Sequence, residues 1–304
     1  MLSKYDVVVI GGGPAGIQAA IYTQRAGFST LLISAGKTEL SKAHNIENYF
    51  GFSEPITGKS LQQAGIEQAQ RLGIEILAEQ VTGAGFSLSG TSYELHTANT
   101  KVEAEALIVA TGMAKQASKI KGAQELLGNG VSYCATCDGF FYRGKKVGIV
   151  GGAEFALSEA KELEPLASEV IVFLNGKEPS ADFQSAGFTV YPGKIKELKD
   201  SSGYLDSVIL DSDESVQLAG LFFAEGQAGA VSLALKLGLE TVGNAIKVDE
   251  NMKTNMPGIY ACGDCTGKRP QVAVAVGQGA IAGMEASDYL RSKRNQKKQE
   301  RQWG

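Results

Sequence analysis

Two short cysteine pairs hold the side chains of this chain best suited to do chemistry. Cys134-Ala-Thr-Cys137 runs directly into Asp138, and Cys262-Gly-Asp-Cys265 repeats the spacing near the C-terminal end. A Cys-x-x-Cys serves as a redox pair, as half of a metal centre, or as two small residues of a core. A structural zinc centre takes four ligands in tetrahedral array, often from two such pairs. Here the pairs stand far apart in sequence, and the only two histidines, His44 and His96, lack ligand spacing. No metal is therefore expected. Cys262 and Cys265 read as small core residues, because buried free cysteine packs like a small hydrophobe; an auxiliary disulfide is the alternative. Cys134 and Cys137 read as a redox pair, since a helix N-terminus lowers a thiol's pKa and favours the reactive thiolate.

Such a pair needs elements to carry it. A chain of 304 residues has room for about two domains, and a hydrophobic content of 43% suits a globular protein with a sizeable core. A net charge of -4 gives no electrostatic case for nucleic acid. No apolar run approaches the roughly 20 residues that span a bilayer, so no membrane partner is expected. The opening MLSKYDVVVIGGG does not read as a cleaved signal. Four cysteines make no disulfide scaffold, which points to a reducing compartment, the cytoplasm.

The runs 6–10, 30–34, 106–112, 146–152 and 169–174 are apolar without alternation, as in parallel strands covered on both faces. Helical patterns at 15–26, 60–72 and 154–166 lie between them. That alternation predicts an α/β fold of doubly wound, three-layer, Rossmann-like units. Strand, glycine turn, helix and strand occur at 5–34 and again at 146–174. Two related domains are expected, the second inserted into the first: 1–115 with 243–290, and 116–242. The polar, cationic stretch 291–304 reads as a tail.

The first glycine turn places Gly11, Gly13 and Gly16 in G-x-G-x-x-G register after a strand and at the start of a helix. The first glycine permits the tight turn, the second lets a pyrophosphate approach, and the third lets helix and strand pack closely. Backbone N–H groups at the helix start then bind phosphate. The acid expected about 20 residues on, for the ribose hydroxyls, is missing, because the second strand ends Ile33-Ser34-Ala35-Gly36 and Glu39 lies beyond it.

VIGGGPAG, IENYFGF with ITGKSL, ALIVATG, YCATCDGFFYRGKKVGIVGG, IYACGDCTG and QVAVAVGQGAIA occur in this order over residues 5–290. In this they resemble the low-molecular-weight thioredoxin reductases of the pyridine nucleotide–disulfide oxidoreductase superfamily. The resemblance implies an FAD domain made from the N- and C-terminal parts and an inserted domain that carries the dithiol and ordinarily binds NADPH. It implies FAD contacts at Gly11, Gly13, Pro14, Ala15, Gly16, Ser34, Asn48, Thr111, Gly112, Gly263, Asp264, Gln271, Val272 and Ala273, with Asp264 on the ribityl chain. It places Cys137 against the isoalloxazine and gives Cys134 the attack on a thioredoxin disulfide. Asp138 would protonate the leaving thiolate as a general acid, or is simply a charge at a helix start. Phe140 and Phe141 would help to dock thioredoxin, or are core. A homodimer and a swivel of the inserted domain are implied as well.

The second glycine turn departs from that family. Gly151-Gly152-Ala153-Glu154-Phe155-Ala156 puts a methyl group where a pyrophosphate needs access. At the next strand end Asn175 and Gly176 replace a basic cluster, Lys177 is the lone nearby cation, and Glu225 and Gln227 occupy unusual positions. One lysine does not reproduce the bidentate grip of arginine on phosphate. The sequence therefore looks like the branch that takes electrons from ferredoxin. An NADPH enzyme with atypical contacts, or a flavin and dithiol sensor without turnover, are the alternatives. Trp303, the one tryptophan, closes a cationic stretch; it either is an incidental residue of a disordered tail or lies against an isoalloxazine, because indoles stack on flat π-surfaces.

Overall fold

Valine and isoleucine runs form the strands expected of them. The computed structural model describes residues 3–36, 38–88, 90–112, 120–225, 230–243 and 245–297. β1 (Ser3–Ile10) leads through the first glycine turn into α1 (Pro14–Arg25) and on to β2 (Thr30–Ile33). After α2 (Gly58–Arg71) come β3 (Glu75–Leu77), the hairpin of β4 (Gly83–Phe86) and β5 (Tyr93–His96), and the long β6 (Lys101–Val109). Val7, Val8 and Val9 are all fully buried, so β1 is covered on both faces, as its unalternating pattern predicts.

The chain continues through β7 (Val131–Ser132), the one-turn helix α3 (Ala135–Asp138), β8 (Lys146–Val150), α4 (Glu154–Leu163), β9 (Glu169–Phe173) and β10 (Thr189–Tyr191). An antiparallel set, β11 (Ile195–Ser201), β12 (Tyr204–Leu210) and β13 (Ser215–Gln217), precedes β14 (Gly220–Phe223) and α5 (Ala230–Lys236). The small hairpin of β15 (Thr241–Val242) and β16 (Ala245–Ile246), then β17 (Ile259–Ala261) and α6 (Val272–Lys293), complete the described elements.

Two compact units result, one of Met1–Ala114 with Leu237–Gly304 and one of Lys115–Lys236. Both units are α/β with parallel sheets of the Rossmann-like kind. In the first, the sheet order is β3-β2-β1-β6 with β17 parallel to the end of β6, while β5 and β4 continue antiparallel from its beginning. In the second, β10-β9-β8-β14-β7 are parallel, with β11 to β13 as a separate antiparallel sheet. Either sheet reverses its order beside the strand that feeds a glycine turn, where open α/β sheets bind ligands.

Close packing of α6 on α1 fixes the first unit. A Cβ on Gly279 would overlap the Ala15 carbonyl, and one on Gly283 would reach 2.7 Å from the Ala19 carbonyl oxygen. Only glycine lets these two helices approach so closely.

The polar pattern from residue 291 predicts a tail, and the structure corrects that boundary. α6 continues to Lys293 because its end is anchored by contacts that composition does not reveal. Arg291 Nη2 donates to the Ala26 carbonyl at 3.0 Å, and Arg294 pairs with Asp6 and, at 2.7 Å, with Glu105 Oε1. Both guanidiniums stand over the Phe28 ring, 5.3 and 5.5 Å from its centroid. Lys298, Arg301 and Trp303 lie outside the described residues, as does Gln227. None of the described helices is long and apolar enough to cross a membrane.

Candidate functional site

In the first unit, β1 passes into α1 through glycines with different jobs. Gly11 has φ +115, and a Cβ there would overlap the Ala110 carbonyl at the end of β6. A Cβ on Gly16 would overlap the Gly11 carbonyl. These two are glycine because the turn itself leaves no room. Gly13 meets nothing within 4 Å, so its missing side chain leaves open space rather than relieving a clash. It is also the N-cap of α1, with no side-chain cap, no acid in the first turn, and Pro14 as the first helical residue. An uncapped helix end beside open space is suited to an anion.

The other expected contact residues belong to the same unit. Thr111 Oγ1 is buried and has no hydrogen-bond partner, and Gly112 at φ +75 faces open space. Gly263 begins a short 3-10 turn (Gly263–Thr266) between β17 and α6, and a Cβ on it would lie 2.8 Å from the Ala15 methyl. Asp264 comes next, and burial pushes its carboxyl pKa up. Gln271 caps α6, and Val272 and Ala273 open its first turn. Asn48 Nδ2 donates to Gln271 Oε1 at 3.1 Å, joining two expected residues 223 apart. Ser34 follows β2, and its hydroxyl fills the space beside Gly12. An orphaned hydroxyl, a half-buried carboxylate and an uncapped helix end are the groups a dinucleotide with hydroxyls and a pyrophosphate would satisfy, so these residues fit FAD.

Sequence reasoning missed two supports of this cradle. Gln278, buried on α6, accepts the Gly263 N–H at 2.8 Å and the Thr266 hydroxyl at 3.4 Å. Gln62 on α2 donates to the Gly12 carbonyl from another buried position. Both are ordinary glutamines to a pattern search. The spacing of Gly279 and Gly283, one helical turn apart, was the one legible sign of close helix packing.

In the second unit, Cys134 and Cys137 form a disulfide with Cα atoms 5.3 Å apart. Cys134 caps α3, and its sulfur accepts the Cys137 N–H at 3.3 Å. Cys134 is fully buried, whereas Cys137 is exposed. The cysteine expected to attack a partner is therefore the hidden one, and a protein disulfide reaches it only after a rearrangement. Asp138 is tied down by Ser132, whose hydroxyl donates to Asp138 Oδ2 at 2.6 Å and accepts the Cys134 N–H at 3.0 Å. A carboxylate thus sits one hydroxyl away from the backbone of Cys134. α3 is a single turn, so its dipole is smaller than a long helix would supply. Ala135 N–H is taken by Glu159, another residue the sequence did not single out. Phe140 and Phe141 are 66% and 70% exposed, which removes them from the core.

Cys262 and Cys265 form no such bond. Both are buried and free. Burial pushes the Cys262 thiol well above its usual range and the Cys265 thiol up to about 12. Such thiols are inert and pack as small core residues.

The second glycine turn repeats the first in frame and departs from it in access. A Cβ on Gly151 would overlap the Ala224 carbonyl, as one on Gly11 would overlap that of Ala110. Where Gly13 caps α1, Ala153 caps α4. The Gly152 carbonyl accepts the N–H groups of Ser180 at 2.7 Å and Ala181 at 3.2 Å. Lys177 Nζ is 2.6 Å from Glu225 Oε1, to which Asn175 Nδ2 also donates at 3.3 Å.

Residues 5–279 match the pyridine nucleotide-disulphide oxidoreductase family. The thioredoxin reductase of Listeria innocua is 32% identical over 303 residues, covering 94% of both chains. Among solved structures, the atypical thioredoxin reductase TRi from Desulfovibrio vulgaris Hildenborough superposes with a TM-score of 0.89 at 35% identity, over 96% of this chain and 99% of that one. A ferredoxin-flavin thioredoxin reductase from Clostridium acetobutylicum gives a TM-score of 0.74 at 32% identity, over 96% and 100%. The chain belongs to the pyridine nucleotide-disulphide oxidoreductase family. Within it, this is an FAD-dependent flavoenzyme of the thioredoxin reductase type, an oxidoreductase that acts on a sulfur group.

Proposed function

We propose that this enzyme, as a homodimer, reduces the disulfide of a thioredoxin-like protein with electrons from reduced ferredoxin rather than from NADPH or NADH. The observation that carries the choice of donor is the Lys177–Glu225 bridge. Lys177 follows the strand end where a 2′-phosphate would be gripped, and its ammonium is already neutralised by a carboxylate that Asn175 also holds, with the Lys194 side chain packed against Gly176 beside it. A second phosphate anion brought there meets a compensated charge. The Ala153 methyl at the start of α4 acts in the same direction, against a pyrophosphate. The likeness to a ferredoxin-flavin enzyme supports the donor, and the thioredoxin reductase relatives support the substrate.

FAD, when bound, supplies the electron pair that opens the Cys134–Cys137 bond. The cofactor's pyrophosphate would be held at Gly11, Gly13, Pro14, Ala15 and Gly16, with Thr111 and Asp264 bonding its hydroxyls and Asn48, Gln271, Val272 and Ala273 lining it. Cys134, brought out of its buried position, attacks one sulfur of the partner's disulfide and forms a mixed disulfide. Asp138 gives a proton to the thiolate that leaves, and Cys137 then attacks Cys134 and restores the internal bond. Phe140 and Phe141 present apolar rings beside the dithiol for that partner. Trp303 would cover the flavin face that nicotinamide occupies in other members.

Steady-state reduction of thioredoxin by NADPH, NADH and reduced ferredoxin, run side by side, tests this reading. Turnover with ferredoxin alone is expected, and turnover with NADPH at a comparable rate would overturn it.

A further inference from the structure

Both residues between the two redox cysteines are held by carboxylates of one helix, and one buried ammonium ties those carboxylates together. Glu159 and Glu162 stand three apart on α4 and so share a face. Glu159 Oε2 accepts the Ala135 N–H at 2.8 Å, and Glu162 Oε2 accepts the Thr136 hydroxyl. Their other oxygens meet Lys236 at the end of α5, whose Nζ lies 2.7 Å from Glu159 Oε1 and 3.1 Å from Glu162 Oε1. The side chains of Lys236 and Glu159 are only 5% and 2% exposed. Burial pushes the Glu159 carboxyl above its ordinary value, opposed by the Lys236 ammonium and the Ala135 N–H.

Stability alone does not account for this cluster. Desolvating three charges is costly, and apolar residues of similar size commonly serve a core as well or better. Its place beside the dithiol suggests a task. A thiolate in a Cys-x-x-Cys is stabilised by nearby N–H groups and positive charge. Here Cys137 N–H points at the Cys134 sulfur, while Ala135 N–H is turned to Glu159. Two carboxylates against one ammonium leave a net negative charge next to Cys134.

We propose that Glu159, balanced by Lys236 and Glu162, is a positioning residue that fixes the Cys-x-x-Cys turn and sets how readily its disulfide is reduced. When two electrons enter, the S–S bond breaks, and uptake of one proton leaves one thiol and one thiolate. The carboxylate disfavours that thiolate and the ammonium relieves it, so the balance between them sets the potential. This rests on reading Cys134 and Cys137 as the redox centre, and it involves neither the electron donor nor thioredoxin.

The full-length enzyme, equilibrated in dithiothreitol redox buffers across pH, provides the test, with the disulfide fraction read by alkylation and mass spectrometry. In this exchange the two dithiothreitol thiols become its cyclic disulfide as the protein disulfide becomes a dithiol. Glu159→Gln removes negative charge and should move the equilibrium toward the dithiol about tenfold, about 30 mV less negative for a two-electron couple. Lys236→Met should move it the other way. That shift should grow as pH rises, because the charged groups facing Glu159 are Lys236 of α5 and Glu162 of α4, and an uncompensated carboxylate ionises as pH rises. The double variant restores the original net charge and should return near wild type. Shifts of both single variants in the same direction, or no shift in either, would overturn the proposal. If Lys236→Met does not fold, Glu162→Gln, at a side chain 34% exposed, should shift the equilibrium toward the dithiol, and its failure to do so has the same force.

Discussion

Lys177 Nζ stands 2.6 Å from Glu225 Oε1, and under the proposed choice of donor this carboxylate takes the place of a cofactor phosphate. The pair is 56% and 21% exposed on its two sides, so its bond contributes little to stability. Its effect is on what can bind. Glu225→Gln should free the lysine and, with Ala153→Gly, produce measurable NADPH binding by calorimetry where the parent shows none. Failure of the double variant to bind any nucleotide would mean that other contacts close the site.

Gly13 and Gly16 should separate cofactor binding from folding. Gly13→Ala adds a methyl group to open space. Thermal stability of the apoprotein should be unchanged, with FAD affinity falling about tenfold, or roughly 1.4 kcal/mol. Gly16→Ala forces a methyl group into the Gly11 carbonyl and should lower the melting temperature as well as the flavin content. Equal behaviour of the two variants would contradict the roles assigned to them.

The four cysteines should divide cleanly by alkylation. After mild reduction, iodoacetamide at neutral pH should modify exposed Cys137 first, while Cys262 and Cys265 stay unmodified because their thiol pKa values are pushed up by burial. Cys134→Ser should abolish thioredoxin reduction with flavin retained. Cys262→Ser and Cys265→Ser should be nearly silent; loss of turnover in a folded Cys262→Ser protein would give that pair a role it is denied here.

Truncation should distinguish the anchored end of α6 from the residues beyond it. Removing 295–304 should leave the melting temperature in place and, if Trp303 covers the flavin, brighten flavin fluorescence. Removing 291–304 also takes Arg291 and Arg294 from Phe28, Asp6 and Glu105. After discounting for solvent screening, a loss on the order of 1 kcal/mol corresponds to about 2–4 °C. Burial raises the Asp6 and Glu105 carboxyls, but Arg294, with Ser29 on Asp6 and Lys293 on Glu105, brings both below their usual range. Their stabilisation is therefore fully present above about pH 5 and is lost as pH falls through the lowered folded values. The difference between the two truncations should shrink accordingly in acid.

Much of this was legible in the sequence because it depends on local pattern. Unalternating valines gave β1, and Gly11 and Gly16 stand where the turn's own carbonyls leave no room for a side chain. Cys134, Cys137 and Asp138 announce themselves by spacing. The supports were not legible, since Gln62, Gln278, Glu159 and Lys236 act through partners distant in the chain and carry no local signature. The end of α6 was misread for the same reason, as its arginines look like a solvated run until Phe28 and Asp6 are placed beneath them. The burial of Cys134 relative to Cys137 likewise comes from packing around a single turn and not from the motif.

The choice of electron donor is tested most directly by anaerobic rapid mixing of the oxidised holoenzyme with stoichiometric NADPH, NADH or reduced ferredoxin, monitoring the flavin absorption band. Reduced ferredoxin should bleach the flavin within the turnover time, and both nucleotides should leave it nearly unchanged over many such intervals. Rapid bleaching by NADPH would contradict the account.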